Sequence, residues 1–268
     1  MTLAPLLTAL LAAAPAFAAS KSAYQHYLKA LLHTNQGQYE EAMKEYEAAL
    51  DLDPQSATMY QQAAQLALEM NDATKAHALA VRFADLAPEN AEAQLLLGQV
   101  NWAKGDGDGA RAAFEKALAL RPGYSEALFA LGNLLGAHSP EDAKRYLETY
   151  VTENPEDASE ALYQIALLES RTGRDDKAEE RLKAAVRADP DHMQARHALA
   201  QLYEARRDTE AALGAYEAIL ERDPRNVMLL NHIGEILVLK DENARAKEVF
   251  SRAKDIAPSH PAACLWLA

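Results

Sequence analysis

The stretch Ala91–Pro122 reads AEAQLLLGQVNWAKGDGDGARAAFEKALALRP. Apolar residues recur at helical spacing on both sides of a glycine-rich middle, Gly105-Asp106-Gly107-Asp108-Gly109. An ion-binding reading of that middle fails on its ligands. Begun at Asp106, an EF-hand loop would carry Ala110 at a ligand position, Arg111 where glycine makes the sharp turn, and Ala117 where a bidentate glutamate belongs. A phosphate loop ends in Gly-Lys-Ser/Thr after a strand, and this stretch has neither. The middle is therefore a turn between two helices, with Gly105 as the turn residue. Asp106 and Asp108 supply the cap and first-turn acid that suit a helix N-terminus. Gly107 and Gly109 add backbone freedom, which predicts a loose turn with fast amide exchange.

Working outward, Pro122 is one of a series: Pro54, Pro88, Pro122, Pro155, Pro190, Pro224 and Pro258, in steps of 34, 34, 33, 35, 34 and 34 residues. A fixed period in this range marks stacked supersecondary units, with proline closing each one. Aligned on the prolines, Met193–Pro224 reads MQARHALAQLYEARRDTEAALGAYEAILERDP. Leu97-Gly98 of the first stretch meets Leu199-Ala200 of the second. Ala110, Phe114 and Ala117 meet Ala212, Tyr216 and Ile219. Small residues recur at one phase in the first helices (Gly98, Gly132, Ala166, Ala200, Gly234). Alanine recurs in every second helix, at Ala42, Ala76, Ala110, Ala143, Ala178, Ala212 and Ala246. Both series predict close helix approaches, with Tyr46, Phe114, Leu147, Leu182, Tyr216 and Phe250 filling the gaps between. The fourth turn, GAHSPEDA, is shortened; Ser139 is its expected N-cap, Pro140 the first helical residue, and His138 a solvated turn residue.

This pattern resembles the tetratricopeptide repeat over about Ser22 to Pro258. The resemblance implies an all-α fold, a right-handed α-α superhelical solenoid of about seven helix-turn-helix units. The units fall near 23–56, 57–90, 91–124, 125–158, 159–192, 193–226 and 227–260 within a solenoid spanning 19–258. Residues 261–268 are a short C-terminal helix or the start of an eighth unit.

The resemblance also implies a concave face lined by the second, fifth, ninth and twelfth residues of each unit. From these come the expected partner-binding residues: Gln61, Gln65, Leu95, Gln99, Trp102, Phe129, Asn133, Tyr163, Leu167, His197, Gln201 and Asn231. In units two to seven those positions hold no Lys or Arg. A carboxylate clamp of the chaperone-binding members needs such residues there. Rings and side-chain amides suit an extended peptide or, as the second class, a glycan.

Composition narrows the partners. A formal charge of -13 repels duplex nucleic acid and anionic lipid surfaces. Catalysis has no recognisable machinery: no HExxH, no nucleophile elbow, and His192 and His197 lack a third metal ligand. No cofactor or metal is expected. The acidic pairs Glu40-Glu41 and Glu179-Glu180 are expected as solvated charge on outer faces.

Residues 1–20, MTLAPLLTALLAAAPAFAAS, combine an apolar run with the cleavage pattern Ala16-Phe17-Ala18. Residues 1–18 are therefore expected to be a removed secretory signal, leaving no transmembrane segment and placing the chain in a bacterial periplasm or outside the cell. Cys264 is the single cysteine, expected to be buried as a small apolar group. The expectation for function is a non-catalytic protein-binding scaffold of a cell-envelope assembly or export system. Its alternatives are an exopolysaccharide-binding module, or the repeat portion of a larger envelope enzyme or transporter.

Overall fold

The computed structural model describes residues 21–258. The expected signal segment, the burial of Cys264 and the short terminal helix lie outside the described residues. Every regular element among the described residues is helical, which bears out the all-α class. The chain divides into two compact units, Met1–Ala137 and His138–Ala268. The division falls in the shortened fourth turn.

The first unit holds α1 (residues 21–35), α2 (Tyr39–Leu52), α3 (Ala57–Glu69), α4 (Ala73–Leu86), α5 (Ala91–Ala103), α6 (Gly107–Leu120) and α7 (Ser125–Leu135). The second holds α8 (Pro140–Glu153), a 3-10 turn at Pro155–Asp157, α9 (Ser159–Arg171), α10 (Asp175–Ala188), α11 (Met193–Ala205), α12 (Thr209–Leu220), α13 (Val227–Leu239) and α14 (Asn243–Ile256). Odd-numbered helices are the first helices of the repeats, and even-numbered helices the second.

The turns within repeats share one mechanism. In six of them a residue in the left-handed region closes the first helix: Gly37, Asn71, Gly105, Gly173, Arg207 and Asp241. The next residue donates its N–H to the carbonyl five residues back, as Asp72 does to Ala67, Asp106 to Asn101 and Asp208 to Tyr203, at 2.9–3.0 Å. This satisfies the last carbonyls of one helix. In three of the six the same residue then caps the following helix: the side chains of Asp72, Asp106 and Asp208 accept from the N–H groups of Lys75, Gly109 and Ala211, whereas Gln38, Arg174 and Glu242 make no side-chain cap bond. The fourth turn departs from this pattern. Ser139 stands at the N-cap with φ -139° and Pro140 follows as the first helical residue, as expected, but the Ser139 side chain makes no cap bond.

The glycine-rich turn is thus an ordinary member of the series. Asp106 makes both its bonds, and Gly109 is crowded: a Cβ there would sit 2.3 Å from Oδ2 of Asp106. The looseness expected from its glycines is not seen in its hydrogen bonds. The non-glycine left-handed positions are the weaker ones. Arg207, exposed with φ 60°, carries the steric cost of a Cβ in that region. Arg207→Gly is expected to raise stability by about 0.5–1 kcal/mol. An unchanged or lowered melting temperature would refute this account of the turn.

The core follows the repeat. The seven phase alanines of the second helices are all at most 2% exposed. Tyr46, Phe114, Leu147, Leu182, Tyr216 and Phe250 are buried beside them. The glycines of the first helices mark the tightest crossings. A Cβ on Gly98 would lie 2.5 Å from the Phe114 ring, and one on Gly234 would lie 2.5 Å from the Phe250 ring. These are close approaches that only glycine permits.

Candidate functional site: an acidic and apolar face of the second unit

In the second unit, helix periodicity places Gln194, His197 and Gln201 on one face of α11, three and four residues apart. Met228, Asn231, His232 and Glu235 recur in the same way on α13. Between the two helices lies a cavity of about 570 Å³ lined by His197, Gln201, Tyr216, Asn226, Met228, Leu229, Asn231, His232 and Glu235. Met228 is 79% exposed at its edge, whereas Leu229 is buried. A smaller cavity of about 230 Å³ adjoins through Gln201 and includes Leu167, Ser170 and Leu202. A third, of about 570 Å³, lies at the start of α11, lined by Glu156, Asp157, Glu160, Asp189, Asp191, His192 and Gln194 among others.

The expected site residues of this unit therefore gather on one face. His197, Gln201 and Asn231 share one cavity, and Leu167 joins through Gln201. Tyr163 packs on His192, with ring centroids 5.2 Å apart. Asn231 is 5% exposed, so it reaches the cavity from within the packing. In the first unit, Gln65, Gln99 and Trp102 are exposed, Phe129 and Asn133 are half-buried, and Leu95 is buried in the packing of α5. The Gln61 amide donates to Glu92 at 3.5 Å.

Three charged groups outside the expected set of partner-binding residues shape the second unit. Glu204 of α11 accepts from the Tyr216 hydroxyl at 2.8 Å, and Nε2 of His232 lies 3.0 Å from the same carboxylate oxygen. The two rings meet edge to face at 5.0 Å. Burial pushes the Glu204 carboxyl up, but the Tyr216 hydroxyl and the His232 ring outweigh it and hold it below the usual value. Burial and the neighbouring carboxylate push the Tyr216 hydroxyl far up.

The sign of the linkage follows. A folded pKa below the unfolded one gives stability that is present above the unfolded pKa and lost as pH falls through the folded one. Acidification below about pH 4 is expected to loosen the α11–α12–α13 link, and Glu204→Gln to remove that part of the acid sensitivity. An acid-unfolding curve identical for wild type and Glu204→Gln would contradict it.

Glu179 is the second group, and it corrects the outer-face expectation. It accepts from Lys183 and Arg206 at 2.6 Å and from the Tyr203 hydroxyl at 3.0 Å, tying α10 to α11. The Lys183 ammonium chiefly holds its carboxyl below the usual range. The third is Glu169, 2% exposed, which accepts from Lys144 at 3.0 Å and from Arg174 at 3.2 Å.

His192 caps α11. Its Nδ1 accepts from the Ala195 N–H at 3.2 Å, which leaves Nε2 to carry the proton toward Glu160, 3.0 Å away. Among the described residues, no three His, Cys, Asp or Glu side chains are gathered as a metal ion requires. None of the described helices is long and apolar enough to cross a membrane.

Tandem helical hairpins that present side chains along their first helices define a repeat protein with a recognition face. Models of the tetratricopeptide repeat match residues 62–125 and 197–261, 30–70, and 159–202. The chain belongs to the tetratricopeptide-repeat family.

Its sequence is 28% identical over 237 residues to the human protein O-mannosyl-transferase TMTC3, covering 86% of the chain. It spans about a quarter (26%) of that relative's length. The solved structure of YrrB, described as a TPR protein with an unusual peptide-binding site, is 25% identical with a TM-score of 0.56, over 65% of this chain and 89% of that one. The C-terminal part of a TPR protein from Cytophaga hutchinsonii is 15% identical, with a TM-score of 0.76, over 90% of this chain and 99% of the other.

Proposed function

We propose that this chain is a protein-binding scaffold that holds an extended peptide segment of its partner on the α11–α13 face, in a bacterial cell-envelope assembly. The observation that carries the reading is the cavity between α11 and α13. It joins an exposed thioether, two imidazoles and the side-chain amides of Gln201 and Asn231. Amides pair with an extended backbone, and Met228 offers adaptable apolar area. The similarity to YrrB, a protein with a peptide-binding site, supports the same class of ligand. The envelope setting rests on the signal-like residues 1–18, and N-terminal sequencing of the exported protein tests it: the mature chain is expected to begin at Ala19.

The binding test is a displayed library of random peptides panned against the full chain. A selected peptide is expected to lose at least about tenfold in affinity for the His197→Ala/Met228→Ala double variant, with its circular dichroism unchanged. Equal affinity for both proteins would remove recognition from this face.

A second reading is favoured by one observation, the match over 86% of the chain to a quarter of a much longer transferase. In it the chain is the repeat segment of a larger enzyme. An immunoblot of the native protein at the size of 268 residues or fewer would reject it.

A further inference from the structure

The α11 face joins two chemically different places. Gln194 lines the carboxylate-rich cavity, and Gln201, seven residues on, lines the apolar one, a separation of about 10 Å along the helix. No Lys or Arg lines either cavity. In the first, Asp191 is paired with Arg222 and Glu160 is held by His192. Glu156 and Asp157 stand exposed on the 3-10 turn, with Asp189 beside them. In the second, Glu235 is an exposed carboxylate on the same cavity as Met228. Like charges gathered at one concavity raise the local concentration of opposite charge and disfavour anionic occupants.

We infer that the occupant of this face is a basic segment of a partner protein with an apolar anchor, a deduction that rests on the peptide-binding reading above. The anchor side chain packs on Met228 and Leu229. Lysine or arginine side chains farther along the same extended segment lie over Glu156, Asp157 and Asp189, which line the neighbouring cavity.

The test uses the full chain and three fluorescein-labelled peptides of one length, followed by anisotropy. The first carries two adjacent lysines on the N-terminal side of a leucine. In the second, glutamines replace the lysines, and in the third, glutamates. The lysine peptide is expected to bind at least about tenfold tighter than its glutamine twin at low salt, with the advantage shrinking toward 0.5 M salt, about a 4 Å Debye length. A Glu156→Gln/Asp157→Asn variant, altered only at exposed positions, is expected to lose about threefold to tenfold for the lysine peptide and nothing for the glutamine peptide.

Equal binding of the lysine and glutamine peptides, or full retention of the lysine peptide by the neutralised variant, overturns the inference. If one of those two results is found while the glutamine or glutamate peptide, or a library-selected neutral one, binds and remains sensitive to Met228→Ala, the peptide-binding reading stands and only the basic partner falls. If none of these peptides binds, both fall together.

Discussion

Phe114→Ala is expected to cost about 3–5 kcal/mol of the first unit's stability. The ring is fully buried, and it fills the space opposite Gly98. Its removal forfeits the apolar transfer term and leaves a cavity that rigid neighbours close only in part. The same crossing resists the opposite change. A methyl on Gly98 would lie 2.5 Å from two ring carbons, so Gly98→Ala forces α5 and α6 apart at about 1–3 kcal/mol.

The two changes meet at one contact and will not add. In the double variant the new methyl enters the space the ring vacated, so its loss should be smaller than the sum of the single losses. Repeat arrays can open in parts, so the measurement is native-state hydrogen exchange of the α5 and α6 amides together with urea unfolding. Additive losses would show that Gly98 and Phe114 do not share the space assigned to them. The matching pair Gly234 and Phe250 in the second unit provides an internal repeat of the experiment.

The period of the sequence carried most of this architecture. Proline spacing marked the repeats, phase alanines marked the buried stripe of the second helices, and Gly98 and Gly234 marked the closest crossings. The capping role of Asp106 was also readable, because an acid one residue beyond a turn glycine has few other uses. What escaped notice depends on side chains meeting across repeats. Asn71, Arg207 and Asp241 fill the left-handed turn position without being glycine, so only the phase of Gly37, Gly105 and Gly173 hinted at them.

The inward positions of the sixth and seventh repeats are implied by the family resemblance, and five of them, His197, Gln201, Met228, Asn231 and Glu235, line the same cavity. Its other walls were hidden. Tyr216 reads as a core filler, and its ring is one, yet its hydroxyl reaches Glu204. The short fourth turn was visible as an irregularity, but a boundary between compact units is a property of packing, which periodicity does not encode.

Lys144→Met is expected to destabilise the second unit by about 3 kcal/mol, the lower end of what severing a buried ion pair costs. Glu169 is the buried member, with its carboxylate held by Lys144 from α8 and by Arg174 at the start of α10. Removing the ammonium leaves a carboxylate out of water with half its donors gone. Arg174 remains, but it is also shared with Glu141, so it does not replace the lost bond. The cost lies in the stranded charge rather than in the attraction itself, and a second variant separates the two. Glu169→Leu/Lys144→Met removes both members and fills the site with hydrocarbon, which in buried pairs is often neutral or favourable. The double variant should therefore be more stable than Lys144→Met alone, measured by urea unfolding. A double variant as unstable as the single one, or worse, would show that the ion pair itself holds α8 and α9 together through attraction that packing cannot replace.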